Sequence, residues 1–146
     1  MEGNWGYTRD TLTHAFFGDN SITSIPRSFS TFDALVWLNL DNNNIVDIPE
    51  GVLPTNLVTL SLNTNLFKSM PTSVASLSYL NWLYLRGNDI RHLELPEFVS
   101  DELEMLDLSE NSIESISYSG VNKSLKVKDL NLSGDENNCI FFEYYH

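Results

Sequence analysis

Residues 80–90 read LNWLYLRGNDI, and this stretch decides the fold of the chain. Leucine stands at its first, fourth and sixth places, asparagine at its ninth and isoleucine at its eleventh. Side chains alternate along a strand, so apolar residues at the fourth and sixth places predict a short strand with one buried face. The same five-place pattern recurs in segments that begin at Leu12, Leu35, Leu57, Leu103 and, more weakly, Val127.

The six segments begin 23, 22, 23, 23 and 24 residues apart, which is a nearly constant period. Such a period is the signature of a solenoid, in which each repeat buries its apolar edge only against its neighbours. We therefore predict a single domain for residues 1–146. Its repeats are 12–34, 35–56, 57–79, 80–102, 103–126 and 127–139, with flanks at 1–11 and 140–146.

The pattern resembles that of the leucine-rich repeat family. Ile25-Pro26, Ile48-Pro49 and Met70-Pro71 fall at the same place in three repeats, and this variant is similar to the class common in extracellular receptors and matrix proteins. The resemblance implies an α/β-type repeat solenoid, a horseshoe arc of about six repeats. It implies short parallel strands on the concave face and mostly irregular or 3-10 segments on the convex face.

The single cysteine, Cys139, can form neither an internal disulfide nor a C-x-x-C metal site. It follows Leu132 by seven places, the spacing at which many extracellular members of the family begin a cysteine-rich cap. Two interpretations stay open. The chain is a fragment of a longer receptor, or the apolar residues from Ile140 to Tyr145 form a cap of their own beside a free thiol.

The ninth-place asparagines are predicted to be structural. An asparagine side chain carries both a donor and an acceptor, so it can satisfy backbone groups where the chain turns off each strand. Stacked over neighbouring repeats, such side chains would form a ladder. The set comprises Asn20, Asn43, Asn65, Asn88 and Asn111.

Places three, five, seven and eight of each repeat point away from the core, and several of them carry large side chains. Tryptophan, tyrosine and arginine dominate binding hot spots, and exposed apolar patches mark interaction sites. Aromatic residues can also simply stabilise a sheet across its strands, and the sequence leaves both interpretations open. The candidate binding residues on the concave face are Phe16, Trp37, Asp41, Trp82, Tyr84, Arg86, Met105 and Asp107.

The chain is strongly acidic, with 20 acidic and 8 basic residues and a net charge of −12. Without a lysine or arginine patch to displace counterions, nucleic acid is not an expected partner. A basic protein would be attracted, although solubility alone also accounts for the charge. No apolar run approaches the roughly 18 residues of a membrane span, so no direct membrane insertion is expected.

No catalytic or metal-binding motif emerges. His14, His92 and His146 are not at ligand spacing with one another or with the cysteine. A G-x-S-x-G elbow and a glycine-rich phosphate loop are both missing from the sequence. We therefore expect no enzyme, no cofactor and no metal.

The expected function is a non-enzymatic module that binds a protein ligand or co-receptor on its concave face, outside the cell. An intracellular scaffold or regulatory subunit is the alternative, as is a structural arc of a larger receptor without contacts of its own. Two N-x-S/T sequons begin at Asn122 and Asn131 and matter only in a secreted protein. Open strand edges at the two ends also predict self-association.

Overall fold

The computed structural model describes residues 9–95, 102–118, 127–134 and 141–144, and there the chain forms a solenoid of stacked repeats. In chain order the strands are β1 (His14–Phe16), β2 (Trp37–Asn39), β3 (Thr59–Ser61), β4 (Trp82–Tyr84), β5 (His92–Leu95), β6 (Met105–Asp107), β7 (Ser115–Tyr118), β8 (Asp129–Asn131) and β9 (Phe141–Tyr144). Two 3-10 helices span Arg27–Thr31 and Thr72–Ser76. The predictions for Asn122, Cys139 and His146 fall outside the described residues.

One strand from each repeat enters a parallel six-stranded sheet in the order β1-β2-β3-β4-β6-β8. The register never shifts, so equal places of neighbouring repeats lie opposite each other. Leu60, for example, lies between Leu38 and Leu83. Each strand occupies places three to five of its repeat, where the leucine spacing predicted it. The predicted solenoid arc with one short parallel strand per repeat is confirmed.

The core lies behind this sheet and is filled by the leucines of the pattern. Leu38, Leu60, Leu83 and Leu106, all at place four, are completely buried. Burying each such side chain contributes roughly 1.5–3 kcal/mol. Leu130 of β8 is 38% exposed, because β8 is the outermost strand of this sheet in the described part of the chain.

Across the core, one strand each from the fourth repeat, the fifth repeat and the predicted C-terminal flank forms a second parallel sheet, β5-β7-β9, which the sequence did not predict. Glu94 of β5 lies opposite Ser117 of β7, and Ser117 lies opposite Glu143 of β9. Glu94 and Ser117 occupy the place that proline holds in the first three repeats. A proline has no N–H for a sheet ladder, so only the repeats without it can pair their backbones here.

The first and third repeats follow the expected 3-10 pattern on this side. Pro26 immediately precedes the helix Arg27–Thr31, and Pro71 immediately precedes the helix Thr72–Ser76. The fixed φ of proline suits the start of a helical turn, and its missing N–H is not needed there. The second repeat, with Pro49 at this place, forms neither a 3-10 helix nor a strand, so none of the three repeats with a proline here joins the second sheet.

Candidate binding face

The turn that follows each strand of the six-stranded sheet has a residue with positive φ at the same place in all six repeats. Place eight is left-handed throughout, at Asp19 (φ 57°), Asn42 (54°), Thr64 (51°), Gly87 (66°), Glu110 (55°) and Gly134 (108°). The sequence predicted this place only as part of the surface. Its signal was the glycine in two repeats and the asparagine in a third, since these residues adopt positive φ most readily.

The ninth-place asparagines lock these turns together. The amide of Asn65 donates hydrogen bonds to Leu40 O at 2.9 Å and Leu62 O at 3.2 Å, and so joins two repeats. Its side-chain oxygen accepts a hydrogen bond from Ile45 N at 3.0 Å. Asn43, Asn88 and Asn111 repeat this arrangement. Asn20, in the first repeat, donates only within its own turn, to Phe17 O and Gly18 O.

Asp41, one of the predicted binding residues, is held within the sheet surface. Its carboxylate accepts hydrogen bonds from Ser61 Oγ and Asn63 N, both at 2.7 Å, and from Asn39 Nδ2 at 2.8 Å. Asp107 accepts a hydrogen bond from Ser109 N at 3.0 Å. Both carboxylates therefore hold backbone N–H groups of the turns as well as carrying negative charge on the open face of the six-stranded sheet.

The aromatic candidates fall into two groups on the open face. In the first two repeats, the ring of Trp37 lies 5.2 Å from that of Phe16, edge to face, and 5.5 Å from that of His14. Phe16 is 60% exposed. In the fourth repeat, Trp82 is 40% exposed and Tyr84 is half-buried. Among the described residues, no ring-to-ring contact involves either of these two.

A groove separates the two aromatic groups, because the third repeat carries small side chains on this face. Thr59 lies opposite both Trp37 and Trp82, and Ser61 lies opposite Tyr84. We call this space the central groove; Trp37, Trp82 and Tyr84 form its walls, and Thr59 and Ser61 form its floor. Its volume is about 720 Å³, with Asn39 and Asn63 also on its lining.

The remaining candidates surround the central groove without lining it. Phe16 packs on the outer side of Trp37, and Met105 lies opposite Trp82 on the far side from Thr59. Arg86 and Asp107 belong to the fourth and fifth repeats, beside Tyr84. Of the eight predicted binding residues, the structure thus brings three together around one groove.

Arg86 is paired with Glu110 of the next repeat, with 2.5 Å between Nη2 and Oε1. The hydrogen bond to Glu110 is the main reason that the pKa of Arg86 is raised. The same bond lowers the pKa of Glu110 below its ordinary value. Both side chains are more than half exposed, so solvent screens the pair and its contribution to stability is small.

The repeat pattern, the unshifted register and the asparagine ladder agree with a comparison of sequences, in which a model of the leucine rich repeat family matches residues 33–90. The chain is a leucine-rich repeat protein. Leucine-rich repeats generally serve as non-catalytic modules for protein interaction.

Curated relatives of this leucine-rich repeat protein have varied names. An adenylate cyclase of Schizosaccharomyces pombe is 30% identical over 142 residues, which is 95% of the chain and 8% of the cyclase. Leucine-rich repeats and immunoglobulin-like domains protein 1 of Homo sapiens is 36% identical over 67% of the chain and 9% of its own length. Toll-like receptor 9 of Equus caballus is 40% identical over 46% of the chain and 6% of the receptor. The chain thus spans less than a tenth of each relative.

The described residues contain neither a membrane-spanning helix nor a cluster of metal ligands. No helix among them has the length and apolar character to cross a membrane. No three His, Cys, Asp or Glu side chains in the described ranges are grouped as metal ligands would be. Asn131, the glycosylation candidate within these ranges, is exposed in β8.

Proposed function

We propose that this leucine-rich repeat protein is a non-enzymatic module that binds a protein partner on the open face of its six-stranded sheet. The observation that carries the proposal is the convergence of Trp37, Trp82 and Tyr84 on the central groove. The core beneath is already closed by fully buried leucines, so these rings are not needed to fill it. Large rings beside a groove are typical of binding hot spots.

Stabilisation of the sheet by cross-strand aromatic pairs is a weaker account for the fourth repeat than for the second. Trp37 has ring partners in His14 and Phe16, which such stabilisation explains. Trp82 has Thr59 and Met105 opposite it, and neither is aromatic. A bound partner accounts for a half-exposed indole at this position, and Trp82 with Tyr84 is therefore the pair to test.

The test compares proteins captured by the wild-type chain with those captured by the double variant Trp82→Ala/Tyr84→Ala. The matched control is Tyr79→Ala, which removes a tyrosine that is 59% exposed outside the six-stranded sheet. We expect a partner that the wild type and the control retain and the double variant loses, with unchanged melting temperatures. Equal capture by all three folded proteins would contradict the proposal.

We further propose that the module works outside the cell. The Ile-Pro repeat class supports this location, as do relatives whose names include Toll-like receptors, whereas the adenylate cyclase among the relatives supports the intracellular alternative. Asn131 is exposed, so a secreted chain should carry a glycan there. Intact-mass analysis after expression in a secretory host tests this, and an unmodified Asn131 would argue for the intracellular alternative.

Self-association through strand edges is a separate part of the proposal. β1 and β8 are the outer strands of the six-stranded sheet in the described residues, and Leu130 of β8 is 38% exposed. Unpaired edges offer backbone groups to a second chain. Sedimentation velocity should show a dimer that grows with concentration, and Leu130→Lys should weaken it. A monomer at every concentration would exclude this association.

A further inference from the structure

The central groove is one side chain wide. Neighbouring strands of a sheet lie about 4.8 Å apart, and side chains stand roughly perpendicular to it. Trp37 and Trp82 are two strands apart, with Thr59 between them, so their rings stand about 9–10 Å apart by this spacing. The groove volume of about 720 Å³ exceeds that of any single side chain, which leaves room for the backbone of a bound segment.

Acidic side chains lie around the central groove in the described part of the chain. Asp41 and Asp107 are on the open face beside it, and Arg86 on the same face is already paired with Glu110. Asp41 holds only neutral donors, namely a hydroxyl, a backbone N–H and an amide, so its charge is not cancelled by its hydrogen bonds. The whole chain carries −12, which repels an acidic partner and attracts a basic one.

We propose that the central groove binds an arginine-bearing segment of a basic partner protein; this deepens, and rests on, the protein-binding function proposed above. A cation placed midway between Trp37 and Trp82 would lie about 5 Å from each ring, within the roughly 6 Å range of cation–π attraction. A planar guanidinium suits this slot better than an ammonium, because it stacks on aromatic faces and is less strongly hydrated.

Charge selectivity separates this inference from simple apolar docking. An aliphatic side chain would also fill the space between the indoles, but it would gain nothing from the carboxylates. Binding of an arginine should therefore weaken as salt screens the acidic surroundings, whereas aliphatic binding should not. Thr59 is the residue to alter, because tryptophan already occupies the same place in the second and fourth repeats. Thr59→Trp should therefore fold while it fills the groove.

The experiment titrates the full chain with four synthetic peptides, matched except for arginine, lysine, leucine or glutamate at two central positions. Tryptophan fluorescence and calorimetry report binding. We expect the arginine peptide to bind most tightly and the leucine and glutamate peptides at least about tenfold more weakly, with an affinity for arginine that falls as salt is raised. Thr59→Trp and Trp82→Leu should each lower the affinity for the arginine peptide at least about tenfold, and Tyr79→Leu should leave it unchanged.

Failure of this inference is distinguishable from failure of the proposed function. Equal affinity for the leucine and arginine peptides, or no arginine binding, would overturn the arginine assignment. So would unchanged arginine binding by Thr59→Trp. None of these results would contradict the protein-binding function, which is tested separately by partner capture with Trp82→Ala/Tyr84→Ala. A captured partner whose binding survives neutralisation of its arginines would likewise overturn the inference and leave the function intact.

Discussion

The side-chain oxygen of Asn65 accepts a hydrogen bond from the backbone N–H of Ile45, 20 residues earlier, at 3.0 Å. The amide of the same side chain donates to carbonyls of its own repeat and of the preceding one. Asn65 is 6% exposed, so water cannot readily replace these partners. One side chain thus satisfies backbone groups of two repeats and fixes their register.

Replacing Asn65 by alanine should lower the free energy of unfolding by about 1–3 kcal/mol, because buried backbone groups lose their partners. Asn20→Ala is the matched control, since Asn20 is exposed and bonds only within its own turn. The Asn20→Ala variant should lose less than about 1 kcal/mol of its free energy of unfolding. Urea unfolding of the two variants measures the difference, and equal losses would show that the contacts between repeats contribute nothing extra.

Thr64→Asn should stabilise the protein. Thr64 has φ 51°, a conformation that a β-branched side chain adopts only under strain. Asparagine tolerates this region, as Asn42 does in the second repeat with φ 54°. We expect a gain of about 0.5–1 kcal/mol in the free energy of unfolding.

The reciprocal change provides the control for this prediction. Gly87 occupies the same place in the fourth repeat with φ 66°, and an added Cβ there would lie 3.4 Å from Thr64 Oγ1. Gly87→Thr should destabilise the protein by about 1–2 kcal/mol. Thermal melts of both variants, followed by circular dichroism, measure the two effects. A loss of stability in Thr64→Asn would mean that the threonine side chain contributes more than its strain costs.

The strands of the six-stranded sheet could be predicted because leucine at every second position indicates a strand with one buried face. Leu83 and Leu85 are both fully buried, whereas Trp82 and Tyr84, which alternate with them along the chain, face outward. The second sheet could not be predicted in the same way. It depends on which neighbouring backbones can pair, and that depends on the absence of proline at Glu94 and Ser117, which no apolar periodicity reports.

The sequence predicted which side chains lie on the candidate binding face, but not which of them come together around one groove. The alternation assigns Trp37, Trp82 and Tyr84 to the outer face. The central groove, however, depends on the small Thr59 and Ser61 between them, which the sequence did not mark as a feature. The hydrogen bonds of Asp41 to Ser61 and Asn63 could not be predicted either, because these partners belong to the next repeat.

Ser117→Pro should disrupt the second sheet. Ser117 lies in the central strand of three, between Glu94 and Glu143, where the backbone N–H belongs to the ladder. The proline would remove one ladder hydrogen bond and leave a carbonyl of the neighbouring strand without its partner, which should cost about 1–3 kcal/mol. Ser117→Ala keeps the N–H and is the matched control, with an expected cost below about 1 kcal/mol. Hydrogen exchange should show faster exchange of the β5 and β7 amides in the proline variant alone, and unchanged protection would contradict a proline-controlled sheet.

Glu110→Gln should have a small effect that depends on pH and salt. The hydrogen bond from Arg86 lowers the pKa of Glu110, so the ionised carboxylate favours the folded state. Its contribution is fully present above the ordinary glutamate value of 4.5 and is lost as the pH falls through the lowered pKa. The difference in the free energy of unfolding between wild type and variant should therefore disappear in acid, and at neutral pH it should shrink in high salt. Glu114→Gln, which breaks the looser 3.4 Å pair with Arg91, is the control and should change stability less. An effect of Glu110→Gln that persists in acid would show that the carboxylate charge is not its cause.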